Sequence, residues 1–205
     1  GIRIALRDLE IRGAGNVLGA EQHGHMEAVG YDLYTKLLRH AVLLEKGERT
    51  EEESIECQVD VDLDAYIPED YIRNEEQKLE AYQKISTMET EEEESDLKDE
   101  LIDRFGDLPD KVEKLFSVAM LKCALQKIGV EECKIKKGEI LMQFSPRAKF
   151  NTENIPLLLS QADGEIRFQN GEKPSLLYKK KNRQEMVTVE ETMKKAGEIV
   201  EKLAR

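Results

Sequence analysis

The sequence predicts an α+β fold: a helical hairpin with a Gly-rich loop, a linker, then an antiparallel sheet packed with several helices. Three observations carry this expectation. Apolar residues recur every three or four positions in some stretches, as on a helix face, and alternate strictly in others, as along a half-buried strand. The alternating stretches come in pairs around Gly-containing dipeptides, and they are segregated from the helical ones. A chain of 205 residues that is 40% hydrophobic is long enough to bury a core in one or two domains.

The N-terminal residues read as helix, loop, helix. Ala5, Leu6 and Leu9 interleave with Arg7, Asp8 and Glu10, then RGAGNVLGAEQHGH (12–25) follows, and Leu33, Leu37, Ala41 and Leu44 recur at helical spacing toward Gly47. KGERTEEES (46–54) has no apolar residue, so it gains nothing by burial to offset its chain entropy and reads as a linker. In IECQVDVDL (55–63), Ile55, Cys57, Val59, Val61 and Leu63 share one face of a strand whose other face is wet.

Helical patterns return after that strand. Asn74 with Gln77 resembles a capping box ahead of Leu79, Tyr82 and Ile85. Leu97, Leu101 and Phe105 mark a second helix, with Glu91–Glu94 as a solvated first turn and Gly106 as a left-handed stop. Pro109 stands where a first-turn proline belongs, and Val112, Leu115, Phe116, Ala119 and Cys123 then run toward Gly129. CKIK and EILMQF flank Lys137-Gly138, and EIRF and SLLYK flank Asn170-Gly171, so each pair reads as a hairpin. A short helix over 152–162 separates the pairs, with Leu158 and Leu159 facing inward. Thr188 with Glu191 forms the capping box of a last helix whose apolar face is Val189, Met193, Ala196, Val200 and Leu203.

The formal charge of −12 is unevenly spread. Residues 45–104 carry seven Lys/Arg against twenty-three Asp/Glu, whereas residues 105–205 carry nineteen against fifteen. Because phosphate neutralisation by Lys/Arg dominates nucleic-acid affinity, the acidic segment repels DNA and suits a protein partner. Cys57, Cys123 and Cys133 are few, odd in number and far apart, which fits free thiols in a reducing compartment, hence a cytoplasmic location. No apolar run is long enough for a membrane span, and charges interrupt the N-terminus too early for a signal peptide. The abrupt start at Gly1 reads as a piece of a longer protein.

Several chemistries fail on context. Gly13, Gly15 and Gly19 are one residue too widely spaced for the commonest dinucleotide fingerprint, and RDLEIR is too charged for the buried parallel strand it needs. No G-x-x-x-x-G-K-[ST] loop and no nucleophile elbow occurs, so neither a nucleotide cofactor nor a catalytic residue is expected in this chain. His23 and His25, two apart without a nearby cysteine, make a poor metal ligand set.

RDLEIRGAGNVLGAEQHGHMEAVGYDLY (7–34) closely resembles the motif that ends the motor of bacterial DNA translocases of the RecG and transcription-repair coupling factor (Mfd) family. The resemblance implies a helical hairpin that couples ATP-driven movement of two RecA-like motor lobes to travel along duplex DNA. It gives motor coupling to Arg12 and Gln22, with Gly13, Gly15 and Gly19 in register. That role is chemically reasonable, because glycines allow close backbone approach, Arg12 offers five fixed donors, and Gln22 both donates and accepts. YIPEDYIRNEEQKLEAYQKI (66–85) and ELIDRFGDLPDKVEKLF (100–116) resemble the C-terminal domain of the coupling factors. That likeness implies a domain that docks on a UvrB-like module, masks the surface for UvrA and restrains the resting motor. The parent protein it implies uses ATP and Mg, displaces stalled RNA polymerase and brings excision repair to DNA damage.

These readings divide the chain into a translocation-motif hairpin (1–44), an acidic linker (45–54) and an α+β regulatory, autoinhibitory domain (55–205). A competing expectation is a direct DNA-binding element of a RecG-like translocase, tracking DNA through Lys179, Lys180, Lys181 and Arg183 within 105–205. A third, a free-standing nucleotide-dependent enzyme, lacks the phosphate loop it requires.

Overall fold

The computed structural model describes residues 56–182, 185 and 187–205. The hairpin at 1–44 and the linker at 45–54 lie outside the described residues, so the structure speaks to the α+β part alone. Two compact units divide it, one containing 63–120 and the other 56–62 with the described residues of 121–205.

The first unit is helical. Asn74 caps α1 (Glu75–Thr87) by accepting the Gln77 N–H, and Thr90 caps α2 (Glu91–Phe105) by accepting that of Glu93. Glu91–Glu94 occupy the first turn of α2, where carboxylates meet the positive end of the helix dipole. Gly106 ends the helix with its N–H on Ile102 O at 2.9 Å. Its φ of 92° is positive as expected of a stop glycine, but its ψ of −170° is extended rather than left-handed. The chain then reaches α3 (Asp110–Lys127), which follows directly on Pro109. Leu79, Ile85, Leu97, Leu101, Val112, Leu115 and Phe116 supply much of this unit's core.

The second unit is a five-stranded sheet in the order β1-β2-β3-β5-β4. Its strands are β1 (Gln58–Val61), β2 (Val130–Lys136), β3 (Glu139–Phe144), β4 (Ile166–Gln169) and β5 (Ser175–Lys179). Both expected hairpins are present, and β3 pairs antiparallel with β5, fusing them into one sheet. The sheet is mixed, however, and not purely antiparallel, because β1 pairs parallel with β2. Long crossover connections permit parallel pairing, and the three helices between β1 and β2 provide one. A second difference lies at Asn170-Gly171, where residues 170–174 all belong to the loop, so the β4–β5 connection is longer than a two-residue turn.

Two helices complete this unit, α4 (Asn154–Gln161) and α5 (Val189–Ala204). The reciprocal capping box of Thr188 and Glu191 starts α5. Its buried stripe of Val189, Met193, Ala196, Ile199, Val200 and Leu203 packs on β2 and β3, and α4 packs on α5 and β4. Inward residues of the sheet include Val59, Cys133, Ile135, Ile140, Met142, Leu176 and Tyr178. Leu158 is buried in α4, whereas Leu159 is only half-buried. Phe144, Phe150 and Phe168 form a ring cluster with centroids 4.7 to 6.4 Å apart.

Candidate functional site

The sequence places its motor-coupling residues at Arg12, Gly13, Gly15, Gly19 and Gln22, and all five lie outside the described residues, as do His23 and His25. Cys57, Cys123 and Cys133 are free and buried, and burial pushes the Cys133 thiol far above its ordinary pKa, away from reactivity. Among the described residues no cluster of His, Cys, Asp or Glu is arranged to hold a metal, and no helix is long and apolar enough to cross a membrane. What the described residues offer is surface: an acidic helix face in the first unit and a basic sheet face in the second.

The acidic face belongs to α2. Its inner side is fixed by Leu97 and Leu101. Lys98 ties it to the next helix, with Nζ 3.0 Å from Glu94 and 3.1 Å from Glu113 and lying 5.3 Å from the Phe116 ring centroid. Burial lowers the Lys98 pKa, but the hydrogen bonds it donates to Glu94 and Glu113 outweigh this and hold the ammonium above its usual range. On α1, Lys84 reaches Glu100 at 2.8 Å and Glu80 at 3.2 Å. Glu92, Asp96, Asp99 and Asp103, spaced four, three and four residues apart, line the outer side of α2 and are exposed. Ile102 sits beside Asp99 and Asp103 and is 40% exposed, an apolar tip among carboxylates. Such a ridge suits a basic surface with a small apolar recess.

The second surface is the sheet face opposite α5. Register brings Asp60, Lys134, Leu141, Leu177 and Arg167 into one row across all five strands. A neighbouring row aligns Lys136, Glu139 and Lys179. Apart from Asp60, these rows line an open groove of about 690 Å³. The cluster singled out in sequence is divided here: Lys179 ends β5, Lys180 pairs with Glu185 at 2.9 Å, Lys181 lies 3.7 Å from Asp163, and Arg183 is outside the described residues. The Glu185 hydrogen bond raises the Lys180 pKa.

Sequence reading passed over Lys134, Arg167, Leu141 and Leu177. Strand parity was the available signal, since Leu141 alternates with the buried Ile140 and Met142, and Leu177 with Leu176 and Tyr178. Their alignment into one row depends on strand order, which no local pattern contains.

The described residues are thus an α+β assembly of a helical unit and a mixed-sheet unit with surfaces of opposite charge. Residues 61–155 match the family model of the TRCF domain. A transcription-repair-coupling factor of Bacillus subtilis (strain 168) is 46% identical over 148 residues, covering 72% of this chain and 13% of that protein. One of Staphylococcus aureus (strain USA300) is 43% identical over 170 residues, covering 82% of this chain and 14% of that protein. The fold is similar to a crystal structure of the C-terminal domain of transcription-repair coupling factor, with a TM-score of 0.53 at 25% identity over 75% of this chain and 96% of that one. The chain belongs to the transcription-repair-coupling factor family.

Proposed function

We propose that this chain is the regulatory end of an ATP-dependent DNA translocase that couples transcription to nucleotide excision repair. Residues 1–44 supply the translocation motif, in which Arg12 and Gln22 couple closure of the motor lobes to movement along duplex DNA. Residues 55–205 are a non-enzymatic docking domain that covers the UvrA-binding surface of a UvrB-like module and restrains the resting motor. ATP and Mg belong to the motor lobes of the whole protein, which displaces stalled RNA polymerase in the cytoplasm.

The single observation that supports docking is the exposed acidic ridge of α2 with Ile102 at its tip. A ridge of carboxylates discourages binding to phosphates, and it draws a basic partner with a strength that salt and rearrangement modulate. Deleting residues 55–205 from the whole protein tests the reading. Resting ATP hydrolysis and UvrA binding are both expected to rise; no change in either overturns the autoinhibitory role.

A further inference from the structure

The sheet face of the second unit is a different surface from the acidic ridge, with the opposite charge. Lys134, Lys136, Lys179 and Arg167 are exposed around Leu141 and Leu177, which are half-buried and directly paired across β3 and β5. The acids of this groove are already engaged. Glu139 lies 3.8 Å from Lys179, Glu132 lies 3.4 Å from Lys134 on the solvent side of the sheet, and a Glu165 carboxylate oxygen accepts the Lys181 backbone N–H at 3.1 Å. Lys136 and Arg167 have no ion-pair partner among the described residues. Cations therefore surround an aliphatic floor, and Lys136 and Arg167 are left over from its ion pairs.

We propose that this face docks an acidic protein segment that lays one aliphatic side chain on the Leu141–Leu177 pair and directs flanking carboxylates to Lys134 and Arg167. The spacing supports the fit. Lys134 and Arg167 stand three strands apart, about 14 Å at the usual interstrand separation. An extended segment rises about 3.3 Å per residue, so carboxylates two residues either side of a central Leu span about 13 Å. Lys136 and Lys179, one row along, meet further acids.

Nucleic acid fits less well. Sheets that bind single strands stack bases on outward aromatic rings, and none of the outward positions on these five strands is aromatic. Tyr178 faces the buried side, and Phe168 packs toward Phe144. A leucine pair also contributes nothing to a phosphodiester.

The test uses the whole 205-residue chain and a fluorescein-labelled peptide with the core Glu-Asp-Leu-Asp-Glu between Gly-Ser ends, read by fluorescence anisotropy. Binding is expected to weaken at least tenfold in Lys134→Glu/Arg167→Glu and at least threefold in Leu177→Gln, and to weaken as salt is raised. Lys194→Glu, the same charge change on the exposed side of α5, is expected to leave it unaltered. Thermal melts report folding, and if the double reversal does not fold, Lys134→Gln/Arg167→Gln gives the same readout. Failure of the peptide to bind, or binding indifferent to these substitutions, overturns the proposal. So does tighter binding of a DNA duplex or of oligothymidylate that is lost in the same variants. None of these outcomes bears on the α2 ridge, so this proposal and the autoinhibitory reading fail separately.

Discussion

The Thr192 hydroxyl oxygen accepts the backbone N–H of Gly138 at 2.8 Å, joining the first turn of α5 to the tight turn between β2 and β3. The same hydroxyl donates to Thr188 O at 2.9 Å, so both its roles are used in a site where Thr192 is 1% exposed. Gly138 holds φ at +72°, which the two-residue turn needs. One side chain thus sets how the helix meets the hairpin beneath it.

Thr192→Val keeps the shape and removes the acceptor, leaving the Gly138 N–H buried without a partner. A loss of about 1–3 kcal/mol is expected, measured by urea denaturation. Thr192→Ser, which keeps the oxygen, is expected to lose less.

Tyr71 places its hydroxyl 2.9 Å from Gly106 O and 3.2 Å from Leu101 O, sharing one proton between two carbonyls at the end of α2. Burial, with Asp107 nearby, raises its pKa, so the hydroxyl stays protonated as a donor well into the alkaline range. Tyr71→Phe is expected to lower stability by about 0.5–1.5 kcal/mol, seen as a lower Tm with helix content retained.

Gly106 has open space where a Cβ would stand, so its constraint is torsional and not steric crowding. With φ of 92° and ψ of −170° it occupies a region essentially restricted to glycine. Gly106→Ala is expected to cost about 1–3 kcal/mol by denaturant titration. A neutral outcome means that the turn relaxes into another conformation.

The Lys84–Glu100 pair predicts a shallow pH dependence. The Lys84 hydrogen bond holds the Glu100 carboxyl below its ordinary pKa, so this contribution is present above the unfolded carboxylate pKa and fades as pH falls through the folded value. The Glu100 hydrogen bond raises the Lys84 ammonium, whose contribution is present below its unfolded pKa and is lost as pH rises through the folded one. Both partners are over a third exposed, so Glu100→Gln is expected to cost about 0.2–1 kcal/mol at neutral pH and nothing in strong acid. Melts across pH measure the difference.

Two predictions concern the whole protein. Asp99→Lys/Asp103→Lys is expected to raise UvrA binding and resting ATP hydrolysis while leaving the isolated fold intact, because both positions are exposed. If Arg12 couples the motor as proposed, Arg12→Ala is expected to abolish translocation while some ATP hydrolysis persists; polymerase displaced at the normal rate overturns the proposed coupling.

Local signals foresaw much of this fold. The Thr188–Glu191 box, the Asn74 cap, the Gly106 stop and the Lys137-Gly138 turn are encoded by residues close together in sequence, which is why they can be read there. The parallel placement of β1 escaped because alternation in IECQVDVDL shows that a strand has one wet face, not which strand it joins or in which direction. The basic row escaped for the same reason: Lys134 and Arg167 come together only through a strand order that long-range burial decides.

That parallel strand bears on how the chain can be shortened. A piece starting after Val61 retains both hairpins and α5 but leaves one border of β2 with unanswered amides and carbonyls, a template for another chain's backbone. Loss of those four strand residues therefore invites self-association, although every described helix is retained.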